Sequence, residues 1–189
     1  MKVVAINGSP RVGGNTHFAI TEMGAELQKE NIEFSEIQIG GEHIRGCMTC
    51  GRCSENKNEK CNFVDDKVNE LLPLLKQADG IILAVPVYYS GIAGTMKCFL
   101  DRVFCVAQVN GNIFNHKIGV SIVAVRRTGG SITVNSLNNY LQEAGMIIPS
   151  SNSLNIIYGR DIGDAQNDEK GIEIMRTLAK NMAWLLKKD

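Results

Sequence analysis

Apolar and polar positions follow two rhythms along this chain, and the switches between them predict its elements. Residues 2–6 (Lys-Val-Val-Ala-Ile) form a short apolar run of strand type, and residues 33–39 are a second strand candidate. Residues 79–85 and 117–125 are near-continuous apolar runs rich in β-branched side chains, as central parallel strands covered on both faces require. Elsewhere the apolar positions recur at helical spacing: Phe18, Ile20, Met23 and Leu27 within 16–30, and Val68, Leu71, Leu72 and Leu75 within 65–77. Further helices are expected over 95–106, 131–144 and 169–186, with a last strand within 147–158. Five β–α units in this order predict an α/β fold with a doubly wound sheet.

The 189 residues fit one domain, spanning 1–189, and show no repeats or low-complexity tracts. Only residues 40–63 break the rhythm. The segment is long for a βα connection, and such length in a compact domain usually signals function. Twenty basic and twenty acidic residues are well mixed and cancel to a formal net charge of zero. Steering toward nucleic acid or a membrane surface is therefore not indicated. No apolar run approaches the roughly 20 residues of a membrane span, and the N-terminus reaches polar residues at once, unlike a signal peptide. The expectation is a cytoplasmic protein, where disulfides are rare.

Four of the six cysteines, Cys47, Cys50, Cys53 and Cys61, follow the spacing C-x2-C-x2-C-x7-C inside residues 40–63. Thiolates at this density suit a metal or an iron–sulfur cluster. A tetrahedral zinc site usually takes two separated Cys-x2-Cys pairs. Here three cysteines fall in seven residues, like the first part of a bacterial ferredoxin run, although Asn62 rather than proline follows Cys61. Gly46 and Gly51 supply turns that could bring the thiolates round one centre. On spacing alone three fates stay open: a cluster, free or redox-active thiols, or zinc. Cys98 and Cys105 sit on the 95–106 helix and read as small core residues. His17, His43 and His116 form no metal-spacing pair, and the absence of a G-x-S-x-G elbow speaks against hydrolase chemistry.

Residues 7–16, Asn-Gly-Ser-Pro-Arg-Val-Gly-Gly-Asn-Thr, follow the first strand and open the first helix. Open α/β sheets bind ligands at the carboxyl ends of their strands, where free helix N–H groups form an anion site. Ser9, Asn15 and Thr16 offer donors, Arg11 a planar cation, and Gly8, Gly13 and Gly14 let backbone approach a phosphate. Neither the P-loop nor the G-x-G-x-x-G signature is present. The plainer alternative is a polar turn with Asn15 or Thr16 as helix cap. Two more loops lie at strand ends. Pro86-Val87-Tyr88-Tyr89-Ser90-Gly91 offers an aromatic for stacking, or packing of a tyrosine on the next helix. Arg126-Arg127-Thr128-Gly129-Gly130 offers backbone N–H groups, or a solvated basic face.

The string GSPRVGGNT resembles the phosphate loop of the flavodoxin-like NAD(P)H-dependent FMN reductases. PVYYSG resembles their second flavin loop, and KCFLDR (97–102) the helix after it; the resemblance extends to about residue 144. It implies a flavodoxin-like five-stranded parallel sheet carrying a cysteine-rich loop insertion. By the same resemblance Ser9, Arg11, Gly14, Asn15 and Thr16 hold the FMN phosphate. Pro86, Val87, Tyr88, Tyr89, Ser90 and Gly91, with Thr128, Gly129 and Gly130, surround the ring. The cysteine motif followed by Asp65-Asp66 resembles the iron–sulfur flavoproteins of that superfamily, whose four cysteines bind one [4Fe–4S] cluster.

The implied function is an oxidoreductase passing electrons from ferredoxin or NAD(P)H, through cluster and FMN, to a small-molecule or protein acceptor. A homodimer or homotetramer is implied too. The rivals are an NAD(P)H-dependent FMN or quinone reductase without a cluster, a non-enzymatic flavodoxin-type carrier, and a zinc-stabilised module.

Overall fold

The computed structural model describes residues 1–188. Five parallel strands form the sheet, in the order β2-β1-β3-β5-β6: β1 (Lys2–Asn7), β2 (Glu33–Gln38), β3 (Gly80–Tyr88), β5 (Ile118–Val125) and β6 (Ile156–Tyr158). The two-residue β4 (Gly91–Ile92) folds back antiparallel on the end of β3 and was not expected from the sequence. Alternation along each strand feeds two apolar layers. Val3 and Ala5 of β1 pack with α1 (Asn15–Lys29) and α6 (Glu169–Leu186) through Ile20, Met23, Leu27, Met175 and Leu178. Val4 and Ile6 face the opposite layer, built on α3 (Val68–Gln77), α4 (Gly94–Val109) and α5 (Gly130–Glu143), with Leu71, Phe99, Val103 and Leu137.

Strand order reverses at β1. Chain order runs outward to β2 on one side and to β3, β5 and β6 on the other, so a crevice opens beyond the carboxyl ends of β1 and β3. Asn7 and Ala84 are paired there, and Gly8 N–H donates to the Ala84 carbonyl at 2.8 Å.

Three departures from expectation bear on the site. α3 starts at Val68, not 65, because the Asp66 carboxylate accepts from Val68 N–H at 3.2 Å and holds the chain in a side-chain turn. The segment 147–158 enters the sheet twice: Ile147 bridges to Ile118, and β6 pairs with Val123–Val125. Pro149 lacks an N–H for a ladder. Asn155 stitches the rejoining chain, its amide donating to the Ser121 carbonyl at 3.0 Å. Within 40–63, a five-residue helix, α2 (Arg52–Asn56), carries Cys53.

Candidate functional site

The β1–α1 loop presents an uncapped helix. Gly14 is the N-cap of α1 and no side chain caps it, so neither Asn15 nor Thr16 fills the capping role that the plainer alternative required. The first backbone N–H groups of a helix have no partner inside it, and here they face a cavity of about 320 Å³ with Ser9, Arg11 and Thr16 on its wall. Ser9 Oγ accepts from Arg11 N–H at 3.2 Å and Ser9 N–H donates to Asn7 Oδ1 at 2.8 Å, which fixes the loop.

A segment that sequence reasoning missed closes the same cavity: Gly159, Arg160 and Asp161, after β6. Arg11 Nη1 donates to the Arg160 carbonyl at 3.0 Å. Asn15 Nδ2 donates to the Asp161 carbonyl at 2.9 Å while its Oδ1 accepts from Ala165 N–H at 3.2 Å. Both ends of Asn15 are therefore engaged within the protein, and it acts as the clasp of this segment. A side chain at Gly159 would have to displace this clasp, because a Cβ there would stand 2.6 Å from Asn15 Nδ2. Asp164 secures the turn by accepting from Arg160 N–H at 3.0 Å and Asp161 N–H at 2.8 Å. Those bonds, Asp161's first, lower its pKa.

Pro86, Val87 and Tyr88 form the opposite wall, with Ala124 and Arg126 between. Of the two neighbouring arginines only Arg126 reaches the cavity. Tyr89 and Ser90 make the two-residue turn between β3 and β4 at φ 47° and 60°, and Tyr89 is fully exposed, packing on no helix. Non-glycine residues at positive φ are uncommon and cost energy. Gly129 at φ 87° touches this turn, since a Cβ on it would lie 2.7 Å from Ser90 Cα. Gly130 packs instead toward Ile156 and Val125, and none of Tyr89, Ser90, Gly91, Thr128, Gly129 and Gly130 lines the cavity wall.

A second cavity, of about 430 Å³ and mostly apolar, gathers Cys47, Cys50, Cys53 and Cys61 between residues 40–63 and α4. Cys61 is anchored: its N–H donates to Asn69 Oδ1 at 2.7 Å, and Asn69 Nδ2 donates back to its carbonyl at 2.8 Å. Cys47 and Cys50 are exposed. Four thiols on one apolar cavity are the donor chemistry an iron–sulfur cluster takes, so the residues fit such a group. Among the described residues, however, no three metal-ligating side chains converge closely enough to hold a single ion. The loop also keeps Thr49, Gly51, Lys57 and Glu59 at positive φ.

Cys105 corrects the sequence expectation. It lines this cavity instead of the core, with its sulfur 3.9 Å from that of Cys53. Burial, then the neighbouring Cys53 and Cys47, push its thiol up to about 11. Arg102 also lines this cavity, a place its sequence position did not predict. It is 1% exposed, and every nitrogen of its guanidinium is used. Nε donates to Cys61 Sγ at 3.3 Å, Nη2 to the Phe63 carbonyl at 3.0 Å, and Nη1 to the Arg45 carbonyl and the Asp66 carboxylate.

The sequence profile described as NADPH-dependent FMN reductase matches residues 1–161. The chain belongs to that family. It is 34% identical over 194 residues to "Iron-sulfur flavoprotein MJ1083" of Methanocaldococcus jannaschii, covering 99% of this chain and 98% of the relative. It is 28% identical to an iron-sulfur flavoprotein of Methanosarcina thermophila, covering 98% and 95%. Among solved structures, a flavodoxin from the domain Archaea superposes with a TM-score of 0.66 at 16% identity, covering all of both chains. The protein is accordingly an FMN-dependent NAD(P)H-type oxidoreductase of the iron–sulfur flavoprotein branch, with a flavodoxin-like fold. Among the described residues no helix is long and apolar enough to cross a membrane.

Proposed function

We propose that the chain binds FMN in the β1–α1 cavity and one [4Fe–4S] cluster at Cys47, Cys50, Cys53 and Cys61. Electrons pass from NAD(P)H or ferredoxin to a small-molecule or protein acceptor. The observation that carries the first half is the uncapped α1 N-terminus, aimed into a cavity that also holds Arg11 and Ser9. Helix N–H groups, a guanidinium and hydroxyls are what a phosphate monoester asks for. In this reading Arg11, Ser9, Thr16 and the backbone at Gly14 hold the phosphate, and Asn15 keeps the 159–161 segment in place. Val87 and Tyr88 flank the ring, with Tyr89–Gly91 and Thr128–Gly130 shaping the turn beside it. FMN, when bound, can exchange electrons singly or in pairs, which matches a one-electron cluster to a two-electron partner.

The second half rests on four thiols on one cavity and on the resemblance to iron-sulfur flavoproteins. Arg102 and Asn69 preset Cys61 for the cluster, while exposed Cys47 and Cys50 must turn inward. A reductase working with FMN alone is the second reading. It is favoured by the lack of three converging ligands among the described residues. Exposed Tyr88, on the wall of the first cavity, and Tyr89, in the turn beside it, support a homodimer or homotetramer.

The test is an anaerobic reductive titration with NADPH or reduced ferredoxin, followed in the visible spectrum. Bleaching of flavin and of the broad iron–sulfur absorbance by the same donor supports the proposal. Flavin that stays oxidised with both donors contradicts it.

A further inference from the structure

Five cysteines share the second cavity, and two of them touch. Cys53 belongs to α2, none of whose five residues is buried and which is bracketed by Gly51 and Lys57 at positive φ. Cys105 belongs to α4, rooted in the core by buried Met96, Phe99, Val103 and Val106. The fixed partner is therefore Cys105, and the adjustable one is Cys53. Their sulfurs are 3.9 Å apart, and a disulfide needs about 2.05 Å. Side-chain rotation with a small shift of the exposed α2 covers that gap.

We propose that Cys53 and Cys105 form a disulfide in the cluster-free chain. The cavity then has two mutually exclusive states, Cys53 on iron or Cys53 bonded to Cys105. The oxidant is a hydroperoxide. The Cys53 sulfur attacks hydrogen peroxide and breaks its O–O bond, leaving a sulfenic acid and one water. The Cys105 sulfur then displaces the hydroxyl as a second water, forming the S–S bond. Two thiols give up two electrons and two protons, and one peroxide becomes two waters. Only the iron-bound state rests on the cluster reading; the disulfide does not.

The experiment uses full-length chain freed of metal by chelator and reductant, in which all six cysteines titrate as thiols. One equivalent of hydrogen peroxide should remove two of the six and join the Cys53 and Cys105 peptides in a proteolytic map. Cys50→Ser should lose the same pair. Cys105→Ser should lose no pair and leave a trappable sulfenic acid on Cys53. Oxidised parent chain should refuse iron and sulfide until a phosphine reductant is added, whereas peroxide-treated Cys105→Ser, once its sulfenic acid is reduced by mild thiol, takes them up. A map linking Cys53 to Cys50 or Cys47, or six thiols surviving, overturns the proposal. If no form of the chain takes up iron, the cluster reading fails while the peptide map still decides the disulfide.

Discussion

The guanidinium of Arg102 donates from Nε to the sulfur of Cys61 at 3.3 Å, across 41 residues of sequence. Its other donors reach Arg45, ahead of the first cysteine, and Phe63 and Asp66, beyond the last. One buried side chain thus ties both ends of the cysteine loop to α4. Removing one partner of a buried ion pair costs about 3–5 kcal/mol, because a charge is left without compensation. Arg102→Ala should destabilise the cluster-free chain by about that amount in urea unfolding. Arg102→Lys should recover little of it, since an ammonium cannot reproduce the planar fork. A loss under about 1 kcal/mol for Arg102→Ala would contradict this role.

Arg11 is the only guanidinium that both lines the first cavity and sits in the loop opening α1. A charge-assisted bond is worth roughly 1.5–3 kcal/mol. Arg11→Ala should therefore weaken FMN about ten- to a hundredfold by fluorescence titration, at about 1.4 kcal/mol per decade. Unchanged affinity would remove Arg11 from the phosphate site.

Gly159 tests the clasp rather than the cradle. A methyl group there must displace Asn15, whose amide lies 2.6 Å from the added carbon, and crowd Ala165 N–H at 2.9 Å. Breaking the two Asn15 bonds costs about 1–3 kcal/mol. Gly159→Ala should lower both the melting temperature and FMN affinity, the latter by about fivefold or more. Asn15→Ala should do the same, and the double variant should fall well short of the sum.

Tyr140 supplies a pH signature. Burial, then its bond to the Asp101 carboxylate, push the phenol up to about 12 from 10.0. The folded chain thus favours the neutral phenol. That contribution to stability is full below pH 10 and is lost as pH rises from 10 to 12. The full linkage is about 3 kcal/mol, and partial solvent access reduces it to about 1 kcal/mol. Alkaline absorbance titration should show one late-ionising tyrosine that Tyr140→Phe deletes.

Sequence patterning carried the sheet and helices because burial on two faces leaves a strong periodic trace. Residues 79–85 and 117–125 are β3 and β5 to within a few positions. The phosphate loop was legible for a similar reason: glycine, hydroxyl and cation are contiguous there. The 159–161 wall was not, since it reaches the cavity only through the return of β6, 150 residues after Asn15 in the Ala165 contact. Arg102 left a signal that could have been used. It interrupts the buried stripe of Phe99, Val103 and Val106 with a charge, and a charge on an apolar face demands a partner. Cys105 sits near the end of that helix, and nothing in its spacing separates a core position from the cavity wall.

A combined flavin, iron and sulfide assay on anaerobically prepared protein tests the two-cofactor chain most directly. Such protein should contain about one FMN, four iron and four sulfide per chain. Cys61→Ser should lose the iron and keep the flavin, because the phosphate loop and the cysteine cavity are separate structures. Full flavin with no iron after anaerobic reconstitution, or one zinc per chain in its place, would contradict the two-cofactor chain.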